Sequence, residues 1–181
     1  MVPRQSSSLD KVNLFRDFFV DSEAINLSTV QMKNLLHHYG LSDRYFKLSE
    51  TGATVEEAAE TIHVSPDAIA KSLVLTVNQQ PIVVVLSGTA RLGNHQFKEE
   101  FEVRPRLLAP DKVKEVTGFP VGGVNPIGLD NALPVYLDNS LRDIPWLYPA
   151  AGDPFHALKL SLDELIELSR PVRWVKVSRV G

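Results

Sequence analysis

The sequence predicts an α/β domain built on a mixed sheet flanked by helices, and three observations carry that expectation. Stretches of strand-type residues alternate with short segments that bear helix caps. Two apolar strands, Ala68–Val77 and Pro81–Ser87, are joined only through Asn78-Gln79-Gln80, a link short enough to force an antiparallel hairpin. The 181 residues, 44% of them hydrophobic, suffice to bury one real core. Hairpin-like strands mixed with short helices argue against a doubly wound parallel sheet.

The elements follow in order. Residues 1–8 read as a disordered segment. From Asp10 to Val20, Val12, Phe15 and Phe19 with Leu14 and Phe18 form an apolar helical stripe, suited to packing on the domain or to a dimer contact. Ser28 is placed to cap a second helix carrying Met32, Leu35, Leu36 and Tyr39, with Gly40 as its stop. Arg44 to Leu48 reads as a short strand. Thr54 and Glu57 form a capping box ahead of a helix whose inner face is Val55, Ala58, Ala59 and Ile62. Ser65-Pro66 starts one further turn, with proline in the first helical position. After the hairpin, Asn94–Phe101 and Pro110–Thr117 are expected to be helices. Leu133–Asp138, Trp146–Pro149 and Phe155–Leu160 are expected strands. Ser161 and Glu164 form a second capping box, opening a helix with Leu162, Leu165 and Ile166 inward, and Arg173–Val177 closes the chain as a last strand.

Composition removes several function classes. There is no cysteine, so disulfides, thiolate metal sites and cysteine nucleophiles are excluded. Nothing at the N-terminus has the apolar core of a signal peptide, and no apolar run reaches transmembrane length. The net charge is −3, so any contact with nucleic acid has to come from a local patch. Arg170, Arg173, Lys176 and Arg179 recur every third residue and offer one such strip, with a solvated tail as the alternative. The five histidines show no metal-ligand spacing; His37 and His38 are adjacent and diverge on a helix. The glycine-rich stretch lacks the endings of a phosphate loop or a dinucleotide site, and Ser87-Gly88-Thr89 is not a nucleophile elbow.

Four features remain as candidates for chemistry. Thr117 to Gly128 holds four glycines and two prolines, and offers backbone amides rather than reactive side chains. Such a loop can form a concavity for an anion or a carbonyl, or serve only as a sharp connection. Lys71 shares the apolar face of its strand with Ile69, Leu73, Leu75 and Val77. A lysine there has to reach an edge, pair with a carboxylate or line a cavity. His156 falls on a face with Leu158 and Leu160, as a core histidine or as a pocket residue that orients a substrate. Asp138 ends its strand, placed to pair with Lys71 or to cap the turn through Asn139-Ser140.

Three pieces in this order resemble the YbaK/ProX family of aminoacyl-tRNA deacylases, relatives of the editing domain inserted in bacterial prolyl-tRNA synthetases. They are Glu57-Ala-Ala through Ile69-Ala-Lys-Ser-Leu-Val74, the strand leading to Ser87-Gly-Thr-Ala-Arg-Leu92, and Thr117–Gly128 with Leu133-Pro-Val-Tyr-Leu-Asp-Asn-Ser-Leu141. The resemblance implies a single compact α/β domain with a mixed, mostly antiparallel, partly closed sheet over residues 28–170. Residues 1–27 would be an extension with one amphipathic helix and 171–181 a basic tail. It also implies a free-standing, cytoplasmic, trans-editing deacylase that hydrolyses the ester of a misacylated tRNA, with alanine or cysteine on the tRNA for proline as expected substrate. Lys71 matches the pocket lysine that holds the tRNA 3′ end, and Gly122 and Gly123 open the loop whose amides hold the substrate carbonyl. Val124, Asn125 and Pro126 complete that loop, and Asp138 and His156 join the substrate-binding set. No cofactor, metal or membrane is implied. The partners are the tRNA acceptor end and, as an option, prolyl-tRNA synthetase, with the oligomeric state open between monomer and weak dimer. The alternative is a non-catalytic module of the same fold that binds aminoacyl-tRNA or a synthetase.

Overall fold

The run Ile82-Val-Val-Val-Leu86 has no polar residue to turn toward water, which demands cover on both faces of its strand. The computed structural model, which describes residues 27–129 and 133–179, supplies that cover. The helix expected over Asp10–Val20 lies outside the described residues.

In chain order the elements are α1 (Leu27–His38), β1 (Tyr45–Lys47), α2 (Val55–Ile62), β2 (Ile69–Val77), β3 (Gln80–Ser87), β4 (Arg91–Leu92), α3 (Asn94–Phe101) and α4 (Pro110–Thr117). They continue with β5 (Val135–Asp138), β6 (Trp146–Pro149), β7 (His156–Leu158), β8 (Leu160–Ser161), α5 (Leu162–Ser169), β9 (Arg173–Val175) and β10 (Ser178–Arg179). Six strands form one curled mixed sheet in the order β8-β6-β2-β3-β5-β9. The hairpin β2–β3 and the pair β6–β8 are antiparallel, while β6 on β2, β5 on β3 and β9 on β5 are parallel. Two small antiparallel pairs, β1–β7 and β4–β10, flank the main sheet.

The hairpin link is one residue shorter than the sequence suggested. Gln80 already pairs with Val77, leaving Asn78 and Gln79 as a two-residue turn with φ of +48° and +67°. Positive φ at both positions is the signature of the type I′ turn, whose twist matches that of the strands. Both capping boxes form as expected: Glu57 N–H donates to Thr54 Oγ1 at 3.2 Å, and Glu164 N–H to Ser161 Oγ at 3.1 Å. Helix α1 begins at Leu27, so Ser28 lies within it instead of capping it.

The sheet divides the core. Val83, Val85, Val135 and Leu137 pack with Met32, Leu35 and Leu36 of α1, Val113 of α4 and Leu165 of α5. On the other side Leu75, Ile82, Val84 and Leu86 pack with Phe97 of α3 and with Val175 and Val177. Burial on both faces erases the alternation that a one-sided strand would show.

Two expected strands are split. Phe155–Leu160 divides at Lys159, whose N–H donates to Arg44 O at 2.9 Å; β7 before it pairs with β1, and β8 after it pairs with β6. Arg173–Val177 divides because the chain leaves β5 after Val175 and reaches β4 at Ser178. The crossing is fixed by Asp138, which is fully buried. Its Oδ1 accepts Val177 N–H at 2.8 Å and Ser178 N–H at 3.1 Å, and its Oδ2 accepts Ser178 Oγ–H at 2.6 Å and Ser140 N–H at 2.9 Å. Of the basic strip, Arg173 is bound to Glu100 at 2.6 Å, and Arg179 lies on β10 opposite Arg91.

Candidate functional site

A cleft of about 310 Å³ opens along β2. One wall is α2, through Val55, Ala58 and Ile62; the floor is β2 from Ile69 to Val74. The segment before α4 with Leu107 and Leu108, the glycine turn with Val121, Gly122 and Val124, and residues 150–157 close the remaining sides. The lining is mainly apolar. Lys71, Asp153 and His156 supply its charged and imidazole groups, and Leu107 and Val121 are exposed at its edge.

Lys71 shares a strand side with Leu73, Leu75 and Val77 and lines the cleft near the start of β2. Its ammonium donates to Gly88 O at 2.9 Å and to Ala90 O, so it does not meet Asp138. Two of its three N–H groups are thereby used and one is left for a ligand. Burial lowers its pKa from the ordinary lysine value; Glu56 nearby opposes that fall and Arg91 adds to it. It therefore sits in the cleft as a partly desolvated cation.

The glycine stretch begins where α4 ends. Thr117, fully buried, bonds to Val113 O at 2.8 Å and accepts Phe119 N–H at 3.1 Å, turning the chain into the loop. Gly123 N–H donates to Pro120 O at 2.9 Å, closing a tight turn in which Gly122 has φ of +82°. Positive φ at the third position is the type II requirement that glycine meets without strain. Gly123 answers a different constraint: a Cβ placed on it would lie 2.6 Å from the Asp153 backbone. Gly152 N–H donates to Gly123 O at 3.2 Å, locking the turn to the 152–154 segment. The Gly123 amide is thus consumed by the turn, whereas among the described residues the amides of Gly122 and Val124 make no hydrogen bond.

Next to that turn, His156 Nδ1 lies 2.8 Å and 2.9 Å from the two carboxylate oxygens of Asp153. The imidazole stacks on Tyr45 with centroids 5.1 Å apart and planes 17° apart. The reading of the sequence did not single out Asp153 or Tyr45. The signal for Asp153 was present in Gly152-Asp-Pro154, a turn that places a carboxylate three residues before His156. Tyr45 reaches the histidine only through the β1–β7 pairing, in which Lys47 stands opposite His156.

Of the candidate residues, Lys71, Gly122, Val124 and His156 line the same cleft. Gly123 lies directly behind it against Asp153. Asn125 is fully buried and shapes the loop: its Oδ1 accepts Ile127 N–H at 2.9 Å across Pro126, and its Nδ2 meets Met32 Sδ at 3.7 Å. Asp138 stands apart in the sheet with all its acceptor capacity engaged. Burial pushes its carboxyl pKa up, but hydrogen bonds from Ser140, Ser178 and Val177 outweigh that and hold it below the ordinary value.

This arrangement can hold a small acyl group against an apolar wall, donate backbone N–H groups to its carbonyl, and offer a cation and an imidazole at its borders. Among the described residues, no helix is long and apolar enough to cross a membrane. Residues 49–168 match the model of the aminoacyl-tRNA editing domain. An uncharacterized Bacillus subtilis (strain 168) protein, YwhH, is 37% identical over 154 residues, covering 83% of this chain and 98% of that protein. A proline–tRNA ligase of Nitratidesulfovibrio vulgaris (strain DP4) is 30% identical over 129 residues, covering 69% of this chain but only 22% of the ligase. A solved structure described as a candidate trans-editing enzyme for prolyl tRNA synthetase superposes with a TM-score of 0.75 at 27% identity, covering 88% of this chain and all of that one. The hypothetical protein APE2540 does so with a TM-score of 0.72 at 31% identity, covering 81% and 98%. The chain belongs to the aminoacyl-tRNA editing domain family.

Proposed function

We propose that the chain is a free-standing, trans-acting deacylase that hydrolyses the ester of a misacylated tRNA, with alanine or cysteine on the tRNA for proline as substrate. The observation that carries this reading is a small cleft lined by Gly122, Val124, Lys71 and His156 against an apolar wall, with the amides of Gly122 and Val124 unbonded among the described residues. At about 310 Å³ it is at the small end of ligand pockets, a size suited to a short side chain and the ester beside it. Similarity to proline–tRNA ligases and to a candidate trans-editing enzyme for the same synthetase supports the choice of tRNA.

In this reading the amides of Gly122 and Val124 bind the substrate carbonyl oxygen. Water, aligned by a hydroxyl of the terminal ribose, attacks the carbonyl carbon and negative charge builds on the carbonyl oxygen. Each preorganised amide then lowers the barrier by about 3 kcal/mol. Collapse breaks the bond between the carbonyl carbon and the ribose oxygen; the attacking group's proton passes to that oxygen, freeing the tRNA end and the amino acid. The third N–H of Lys71 holds the 3′ end of the tRNA, and Asn125 and Pro126 keep the turn in shape. An aminoacyl ester is already activated, so positioning with oxyanion stabilisation suffices without a side-chain nucleophile. A separate hydrolytic pocket is useful because a synthetic site rejects a smaller amino acid by only about 1–3 kcal/mol per methylene.

The test is a panel of mischarged tRNAs incubated with the folded protein. Ester loss well above background, greatest for small amino acids on the tRNA for proline, is expected. Stoichiometric binding without turnover would move the chain to a non-catalytic module, and neither binding nor turnover would overturn the proposal.

A further inference from the structure

We infer that the Asp153–His156 pair is a subsite for the α-ammonium group of the aminoacyl ester, so that the cleft selects amino acids over other acyl groups. This inference rests on the deacylase reading above and adds to it a basis for substrate class.

A carboxylate only accepts hydrogen bonds, so the contacts of 2.8 Å and 2.9 Å place the proton on His156 Nδ1. A neutral imidazole protonated at Nδ1 leaves Nε2 as a lone-pair acceptor, and among the described residues Nε2 makes no hydrogen bond. The ring cannot easily turn away: Tyr45 stacks on one face, and Asp153 is itself fixed by Phe155 N–H at 2.7 Å. Asp153 is the only carboxylate among the described residues that line the cleft. An acceptor backed by a negative charge, set among apolar side chains, favours a cationic donor.

Position narrows the donor. The glycine turn and the pair form one packed unit, since Gly123 leaves no room for a Cβ against the Asp153 backbone and Pro154 abuts Gly122. In an amino-acid ester the ammonium and the carbonyl carbon share one α-carbon. An ester whose carbonyl is gripped at Gly122 therefore brings its ammonium to the neighbouring residues, and those are Asp153 and His156. Its side chain is left to face the apolar α2 wall.

The experiment compares the same tRNA carrying alanine or lactate, which replaces the ammonium by a hydroxyl. Each enzymatic rate is divided by the ester's uncatalysed hydrolysis rate. For the unsubstituted protein the corrected kcat/KM is expected to favour the alanyl ester by about tenfold or more. Asp153→Asn and His156→Ala should each bring the alanyl-to-lactyl ratio of corrected kcat/KM down toward one. Thermal unfolding checks that each variant is folded, and the comparison on the unsubstituted protein needs no variant. Equal corrected rates for the two esters, or a parallel loss for both in Asp153→Asn, would overturn the subsite while leaving deacylation intact. If neither ester is cleaved, the deacylase reading falls and the subsite falls with it.

Discussion

Two buried aspartates stand in different parts of this molecule and differ in one respect. Asp138, at the end of β5, is satisfied by backbone N–H groups and hydroxyls from Ser140, Val177 and Ser178. Asp153, beside the glycine turn, gives both oxygens to an imidazole that lines the cleft. The first carboxylate ends its chain of contacts inside the fold, and its role is to hold the crossing between β9 and β10. The second contacts an imidazole that lines the cleft. Burial and full hydrogen bonding alone therefore do not distinguish a structural carboxylate from a site carboxylate; the identity of the partner does.

That contrast can be broken most decisively at Asp138. Removing the carboxylate in Asp138→Ala leaves three buried or half-buried N–H groups without an acceptor and should cost about 3 kcal/mol in urea unfolding. The folded fraction should deacylate at a rate close to that of the unsubstituted protein. A loss of turnover with stability intact would make Asp138 a site residue and end the contrast. The same carboxylate sets a pH dependence. Its folded pKa lies below the ordinary value of about 3.8, so its contribution is fully present above that pH. As pH falls the unfolded state takes up the proton first, and the contribution is lost by the time pH passes the folded value. Asp138→Asn should flatten that part of the acid-unfolding curve.

At the cleft, Gly123→Ala should lower kcat/KM for a cleaved aminoacyl-tRNA by about a hundredfold, because the new Cβ displaces the turn from Asp153 and a small misplacement is amplified in the transition state. Retention of activity would show that the turn and the pair are not one unit. Lys71→Ala should reduce kcat/KM by about tenfold or more, judged against a charge-assisted hydrogen bond to the substrate. The smallest effect is expected far from both carboxylates. Ser161→Ala removes the cap of α5 and should cost about 1 kcal/mol in thermal unfolding with unchanged turnover.

Local signals were legible where a motif closes on itself, whereas the lone serine at position 28 did not mark the start of α1. Thr54 and Ser161 with their glutamates named the starts of α2 and α5, because a capping box closes within four residues. Pro110 and Gly118 bracket α4 for the same reason. The hairpin was legible from its short link, although the register that makes Gln80 the last pair was not. The parallel joins of β5, β6 and β9 were invisible, since each depends on residues far along the chain. The split of Phe155–Leu160 at Lys159 was hidden for the same reason: the residue that takes its N–H is Arg44.

The candidate site divides in the same way. By itself the sequence determined the ingredients: a glycine turn rich in amides, a lysine on an apolar strand face, a histidine after an Asp-Pro turn, and no cysteine nucleophile. Tertiary structure decided which of them meet. It sent Lys71 to the carbonyls of Gly88 and Ala90 and gave Asp138 to the C-terminal strands. It also pressed Gly123 onto Asp153 and brought Tyr45 over His156. Backbone conformation, capping and strand alternation depend on neighbours a few residues away and are written in the chain. Hydrogen-bond partners and the walls of a cleft depend on which distant segments the core brings together, and only the folded sheet fixes that.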